Sequence, residues 1–506
     1  MSVLAHDDFA TNCASFVNQI NLENVTAYTT EYITAGTNIT IDKHPSCHLE
    51  PPYLVVSSTI CRVRMNVTTS ERSEIRMEAW FPQDYTGRFL STGNGGLGGC
   101  IQYPDIDYAA SLGFATVGAN NGHEGMVGVH FLNNPEVITD FAWRSVHTGV
   151  VVGKALSALF YGAPHSKSYY IGCSTGGRQG MKMVQDFPED FDGVLAGAPG
   201  VAWNDLLYWG GSFFGMTGPK GSDSFVPAEM WAGLIHQEVL NQCDGLDGAI
   251  DGVLENPDLC QFNPMSLICP DGDTTNCLTP TQAETVRKIF SPIYDEDGEL
   301  VFSRMQPGAE VLAGVRQFTG EPYPFAAEWW RYVVHNDSSW DPATITIADL
   351  KAAREQNPAG ISAFNGDLSA FELTGGKILQ YHGLMDDLIT SDHSKRYYSL
   401  VQESMGKEPE ELDAFYRFFP ISGMEHCSFG DGAYRIGNLQ TGYAGKSPDE
   451  NVLMALVQWV EEGVAPEVVR GTDANGTYWR AHCKWPKMNK YLGLGSYWDE
   501  FAWQCI

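Results

Sequence analysis

Positive charge is scarce in this 506-residue chain. Its 31 lysines and arginines face 62 aspartates and glutamates, a net charge of −31. Such a field repels phosphates and anionic lipid surfaces, so neither nucleic acid nor a membrane is an expected partner. No apolar run approaches the roughly 20 residues of a membrane span. Cysteine occurs twelve times but never as Cys-x-x-Cys, the spacing of zinc ribbons and thioredoxin-type redox sites. The glycine-rich stretch 93–99 lacks the Gly-Lys-Ser/Thr ending of a P-loop and the length of a dinucleotide fingerprint. The first eight residues hold no apolar signal core, so the chain is expected to be a mature form given a start methionine, with its signal removed.

What is present points to a secreted, extracellular protein. Five Asn-x-Ser/Thr sequons, at Asn24, Asn38, Asn66, Asn336 and Asn475, accompany the even number of cysteines. Together they suggest an oxidising, secretory compartment with disulfides and glycans. A hydrophobic content of 43% and a charged content of 18% are ordinary for a globular chain, long enough here for one large core plus a subdomain, or for two domains.

Residues 1–85 alternate short β-type runs with polar turns; 49–64 and 74–80 read as strands, and four cysteines between 13 and 100 could staple the region. Further apolar runs at 88–92, 113–119, 168–171 and 193–199 alternate with helical patterns at 135–160 and 178–186. That rhythm indicates a mostly parallel sheet covered on both faces. It breaks over 201–370, where aromatics, glycines and Pro-rich loops crowd together, and resumes with a strand at 377–381, a helix at 391–403, a strand at 415–419 and a helix at 451–462. The expected architecture is α/β, an α/β-hydrolase fold in two parts, 1–200 and 371–506, with a large inserted lid at 201–370.

The stretch Gly172-Cys173-Ser174-Thr175-Gly176 lies between a strand and a helix, the setting of a nucleophile elbow that holds a serine hydroxyl clear of the sheet edge. Such a site needs an acid and then a histidine, each after a later strand. Asp386 follows 377–381 and His426 follows 415–419; Asp387, His382 and His393 compete with them. The loop 93–99 reads as an oxyanion hole, with a simple tight turn as the alternative. If Ser174 reaches His426, their neighbours Cys173 and Cys427 come within disulfide range. A rival reading makes Cys173 a thiol nucleophile with His426 as base, which cysteine usage suited to secretion disfavours.

A second pattern is Cys243-Asp244-Gly245-Leu246-Asp247-Gly248-Ala249-Ile250-Asp251-Gly252-Val253. Carboxylates at 244, 247 and 251 on a tightly turning loop offer hard oxygen ligands, which suits calcium. The spacing departs from an EF-hand, and an acidic solvated turn is the alternative.

Gly-Cys-Ser-Thr-Gly-Gly, then His-Gly-x-x-Asp, then His-Cys resembles the CS-D-HC pattern of the tannase and feruloyl esterase family, over nearly the whole chain. The resemblance implies Ser174 as nucleophile, Asp386 and His426 as its partners, and a Cys173–Cys427 disulfide tying them together. It implies an oxyanion hole from the Thr175 amide and a glycine of the loop, Gly95 or Gly96. It implies a structural Ca²⁺ in the lid, held by Asp244, Asp247 and Asp251 side chains with the Ala249 and Val253 carbonyls, and shut in by Cys243 and Cys260. The other pairings it implies are Cys13 with Cys61, Cys47 with Cys100, Cys269 with Cys277, and Cys483 with Cys505. The expected activity is a serine esterase acting on a small aromatic ester or a feruloylated polysaccharide fragment. A feruloyl esterase releasing hydroxycinnamates from plant cell walls comes first and a tannase second; a hydrolase-fold binding protein without activity is the reading from another class. Phe213, Phe214, Phe325, Trp329 and Trp330 are candidates for the lid wall of the acyl pocket.

Overall fold

The computed structural model describes residues 6–47, 52–270 and 275–506. Nine strands form one sheet: β1 (Val25–Ile33), β2 (Ile60–Ser70), β3 (Ser73–Pro82), β4 (Arg88–Thr92), β5 (Phe114–Ala119), β6 (Lys167–Cys173), β7 (Gly193–Gly197), β8 (Lys377–Gly383) and β9 (Tyr416–Ile421). Their spatial order is β1-β2-β3-β5-β4-β6-β7-β8-β9. The first four neighbours in that order pair antiparallel, and from β5 onward every pair is parallel. The parallel half is buried on both faces, which is why β6, β7 and β8 read as continuous apolar runs without alternation.

Helices α1 (Tyr103–Ser111), α2 (Ser145–Tyr161), α3 (Thr175–Asp186), α4 (Trp203–Thr217), α5 (Ser391–Met405) and α6 (Val452–Glu462) supply most of the covering layers. Glycines in the left-handed conformation end α2, α5 and α6 at Gly162, Gly406 and Gly463. The helix expected over 135–160 is not uniform. A helical turn Pro135–Thr139 passes through a wider π-turn, Asp140–Arg144, before α2 begins. Buried Asp140 sits at that widening, ion-paired to Arg144 at 2.6 Å and accepting from Ser73 and Thr69 hydroxyls. The single strand expected over 49–64 is also corrected. Residues 49–51 of that stretch lie outside the described residues, Tyr53–Val55 pairs with Asn38–Thr40 in a separate small ribbon, and β2 starts only at Ile60.

Residues 203–361 build a hydrophobic cluster of their own around Trp209, Trp231, Trp329 and Trp330, each no more than 1% exposed. Leu97, Phe131, Val137, Phe141, Ala142 and Ile389 join it from outside that stretch. Arg178 of α3 is fully buried at this junction. It donates to the carbonyls of Phe141, Ala142 and Ile361 and lies 5.3 Å and 5.4 Å from the Phe141 and Trp203 rings. Burial pushes its guanidinium down to about 9. Arg178, paired with no carboxylate among the described residues, thus ties the elbow helix to the inserted layer.

All twelve cysteines are bonded, in the six pairs that the resemblance implies: 13–61, 47–100, 173–427, 243–260, 269–277 and 483–505. Of the sequon asparagines, Asn24, Asn38, Asn336 and Asn475 are exposed. Asn66 is half-buried in β2 and donates to Glu74, and the Asn336 amide is engaged with Asn133. No described helix is long and apolar enough to cross a membrane.

Candidate active site

Strands β4, β6, β7, β8 and β9 run in the same direction, so the loops after them leave one edge of the sheet. The order reverses where β4 lies between β5 and β6, the place where open α/β sheets form a crevice. Ser174 sits there, between β6 and α3, with φ 65° and ψ −121°. A non-glycine residue in that region costs about 1–3 kcal/mol and persists only when its neighbours hold it. The Ser174 amide donates to the Gly197 carbonyl at 3.0 Å, and its own carbonyl accepts from Arg178 and Gly200. The flanking glycines are demanded by close approach. A Cβ at Gly172 would lie 2.8 Å from the Gly176 carbonyl, and one at Gly176 would lie 2.9 Å from the Asn94 carbonyl oxygen. The Gly-x-Ser-x-Gly spacing is therefore a packing requirement of the turn.

Loop 93–99 follows β4 and packs against this elbow. Thr175 Oγ1 donates to the Gly96 carbonyl at 2.6 Å, and Gln179 of α3 accepts the Asn94 amide at 3.0 Å. The amides of Gly93, Gly98 and Gly99 are likewise spent on carbonyls. The amides of Gly95, Gly96 and Thr175 donate to no acceptor among the described residues. All three residues border the cavity that Ser174 borders.

His426 lies in the loop after β9 and Asp386 in the loop after β8. His426 Nδ1 is 2.7 Å from Asp386 Oδ2, while Asp386 Oδ1 accepts from the Leu388 and Ile389 amides at 2.9 Å and 2.8 Å. Burial is the largest influence on Asp386 and by itself would raise it. The His426 charge and hydrogen bonds from His382 and His426 outweigh burial and hold the carboxyl well below the usual carboxylate range. On His426, burial pushes down; the charge and hydrogen bond of Asp386 more than reverse that, Asp387 adds to the rise and Arg316 opposes it, leaving the imidazole above 6.5. The Cys173–Cys427 bond joins the elbow to the histidine loop, and a His426 ring nitrogen and the two sulfurs lie within 4.8 Å of one another. With both sulfurs bonded, neither cysteine offers a thiol nucleophile or a metal ligand.

The competing acid faces elsewhere. Asp387 is ion-paired to Arg316 at 3.0 Å, and its carbonyl accepts from Gln317. Burial, then repulsion from Asp386, pushes Asp387 up to about 6 against the pull of Arg316. Burial and Asp387 likewise push Glu425 up to about 7. His393 is buried between the Phe302 and Phe364 rings, away from the acid. Position after the strand did not separate Asp386 from Asp387; the His-Gly-x-x-Asp resemblance implies Asp386, and the local backbone amides point to the same residue.

The cavity over Ser174 and His426 has a volume of about 820 Å³. The inserted layer walls it with Trp203, Leu206, Leu207, Tyr323 and Phe325, and the sheet side brings Gln102, Asp105 and Leu439. Of the five aromatics expected to wall the pocket, Phe325 alone borders it. Phe213, Trp329 and Trp330 are consumed by the core of the insertion, and Phe214 is half-buried outside the cavity. Periodicity on α4 could have pointed to Trp203, Leu206 and Leu207, one helical turn apart. Nothing in the sequence signalled Tyr323 or Arg316.

The loop with the three aspartates begins with a helical turn, Asp244–Asp247, and the Cys243–Cys260 bond closes it. Asp244, Asp247 and Glu255 are each about 5% exposed. The cation within reach is Arg480, 3.8 Å from Asp251 and 3.7 Å from Glu255. Asp244 accepts from the Gly252 amide, Asp247 from Ala249 and Glu255, and Asp251 from Val253. Burial pushes Asp247 up to about 7 and Asp251 up to about 6 despite those bonds. Four sequestered carboxylates served by one guanidinium are a donor set that fits a hard divalent cation. Their oxygens are not gathered within 4.8 Å of one another as the Cys173, His426 and Cys427 atoms are.

An elbow serine beside free amides, a histidine and a buried carboxylate on successive loops, and an inserted layer over them define an α/β-hydrolase with an inserted domain. Residues 59–506 match the family described as tannase and feruloyl esterase. The chain belongs to that family and is a carboxylic ester hydrolase. It is 52% identical over 512 residues to a probable feruloyl esterase B of Emericella nidulans, covering all of this chain and 96% of the relative. Feruloyl esterase B from Aspergillus oryzae is 50% identical in its crystal structure, with a TM-score of 0.96 over 98% of this chain and 100% of that one. Tannin acyl hydrolase from Aspergillus niger shares the fold, with a TM-score of 0.78 at 21% identity over 99% of this chain and 95% of that one.

Proposed function

We propose that the protein is a secreted feruloyl esterase that releases hydroxycinnamic acids from plant cell-wall esters through an acyl-enzyme on Ser174. The observation that carries this is the cavity itself, an apolar slot over Ser174 and His426, in a chain about half identical along its full length to relatives named feruloyl esterase B. Ser174 Oγ attacks the ester carbonyl and His426 Nε2 takes its proton. Asp386 holds the imidazole with Nδ1–H toward the carboxylate and stabilises the imidazolium. The amides of Thr175 and of Gly95 or Gly96 receive the developing oxyanion. His426 then returns the proton to the departing alcohol, and water, activated by the same imidazole, releases the acid. Secretion is supported by six disulfides and by exposed sequon asparagines. Asp244, Asp247 and Asp251, with the Ala249 and Val253 carbonyls, would hold a structural Ca²⁺, which would neutralise their buried charge and fix the loop.

Two measurements test the reading. Ser174→Ala abolishes hydrolysis of methyl ferulate; unchanged turnover sinks the assignment. Methyl caffeate, ferulate, sinapate and gallate compared side by side decide the acyl group. A tenfold or greater preference for gallate in kcat/KM, roughly 1.4 kcal/mol of barrier, would make the protein a tannase instead.

A further inference from the structure

His382, in the His-Gly-x-x-Asp stretch, takes no part in the mechanism above, yet it is completely buried against the acid. Its Nε2 lies 2.8 Å from the Ile389 carbonyl oxygen and 3.2 Å from Asp386 Oδ2, and its Nδ1 lies 2.7 Å from Ser394 Oγ. A carbonyl and an ionised carboxylate can only accept, so Nε2 must carry a proton. The Ser394 hydroxyl then donates to Nδ1 and fixes that tautomer. The Nε2 hydrogen is thus directed to the Ile389 carbonyl, with Asp386 Oδ2 as a longer second contact at 3.2 Å, while Oδ2 is bonded to His426 Nδ1 and Oδ1 is held by two backbone amides.

We propose that His382 is a positioning residue for the catalytic acid: locked as the Nε2–H tautomer by Ser394, it anchors Asp386 Oδ2 and the Ile389 carbonyl together and keeps that oxygen aimed at His426. The proposal rests on Ser174, Asp386 and His426 acting as the triad. With His382 present, both carboxylate oxygens are pinned, and rotation of the carboxylate would break bonds at both. Without it, Oδ2 keeps only the bond to the imidazole it must orient. Ile389 also borders the substrate cavity, so the same ring ties the acid to the cavity wall. The donor on Oδ2 further dilutes the negative charge that Asp386 presents to His426. The other titratable groups around this cluster are Asp387 on the same loop, Tyr381 on β8, Glu425 beside His426, Arg316 and Tyr323 from the inserted layer and His393 on α5.

The test compares His382→Ala, His382→Gln and Ser394→Ala with wild type, measuring kcat, KM, the pH profile of kcat/KM on methyl caffeate, and Tm. The expected result for His382→Ala is a fall in kcat of roughly 10- to 100-fold, the scale of a misplacement near 1 Å. KM is expected to stay within about twofold and the acid limb to move to higher pH. Ser394→Ala moves both readouts in the same direction by less, and His382→Gln, whose amide can still donate, restores part of kcat. A folded His382→Ala or Ser394→Ala with wild-type kcat and an unmoved acid limb overturns the proposal, as does a loss confined to Tm. If His382→Ala does not fold, the other two variants decide by the same criteria. Ser174→Ala separates the layers. Residual activity there removes the triad reading itself, whereas a dead Ser174→Ala beside wild-type His382 variants removes this inference alone.

Discussion

Replacing Cys173 and Cys427 together by alanine separates two contributions of one bond. The bond spans 254 residues of chain. On the loop-closure account its loss loosens the unfolded ensemble by up to about 5.5 kcal/mol. A chain of 506 residues unfolds with an entropy of about 1 kcal/mol/K, so that figure corresponds to a Tm lowered by about 5 °C. The other five bonds shorten the effective loop and make this an upper value. The second contribution is local. Ser174 at φ 65° and Cys427 at φ 67° both hold left-handed backbone, immediately beside or within the bond, with the Cys427 carbonyl anchored by Asn438 at 2.8 Å. Freed from each other, the elbow and the histidine loop can relax, and a shift near 1 Å between Ser174 and His426 costs about 100-fold in kcat. The double variant is therefore expected to lose far more turnover than stability, with KM little changed. Steady-state kinetics on methyl ferulate well below the lowered Tm, together with calorimetry, read the two effects separately. A double variant that keeps kcat within twofold of wild type while Tm falls would show a simple staple and refute the positioning argument.

The other predictions follow from the charges. Asp386 holds His426 above the ordinary imidazole value, and on the proposed mechanism only its neutral form takes the Ser174 proton, so kcat/KM should rise with pH along a limb centred above that value; a midpoint below it contradicts the charge balance around His426. Stability runs the opposite way. The contribution of the raised His426 is full below 6.5 and is lost as pH rises through its folded value, whereas that of the depressed Asp386 is present above the ordinary carboxylate value and is lost only in strong acid. Arg316 opposes the rise at His426, so Arg316→Gln should move the acid limb further up, and an unmoved limb in the pH profile would exclude that coupling. Stripping divalent cations should lower Tm, Ca²⁺ should restore it, and Asp247→Asn should lower Tm without responding to Ca²⁺. A site filled to 100 times its Kd contributes about 2.7 kcal/mol, and a Tm indifferent to chelator removes the calcium reading.

Much of the catalytic half was legible because parallel strands buried on both faces must be apolar throughout, and glycines mark the turns after them. The range 88–92 came through unchanged, and the run 193–199 ends as a strand at Gly197. The antiparallel edge was harder, since its half-exposed strands share composition with the turns between them. The run from 53 to 64 accordingly hid a break between two separate sheets. The inserted layer was visible only as a loss of rhythm. Its core recruits Phe131, Phe141 and Ala142 from well upstream, the last two also bonded by Arg178, and no local pattern can announce a contact made at that distance in the chain. The pocket aromatics failed for a related reason. A tryptophan is equally suited to a core and to a ligand wall, and Trp329 and Trp330 were needed for the core.

Asp386 and Asp387 mark the limit most clearly. They are adjacent, both fully buried, and equally well spaced from the strand for a catalytic role. Adjacent residues in a loop point apart, and here that divides their duties. Asp386 turns toward two histidines and two amides, and Asp387 turns toward Arg316 and the inserted layer. One dipeptide therefore holds both the His426 imidazole and an attachment of the cavity wall. Arg316 borders the cavity and pairs with Asp387 beside the acid, so its charge is felt at His426. That is why Arg316, far from the motifs that identify the family, is expected to tune His426.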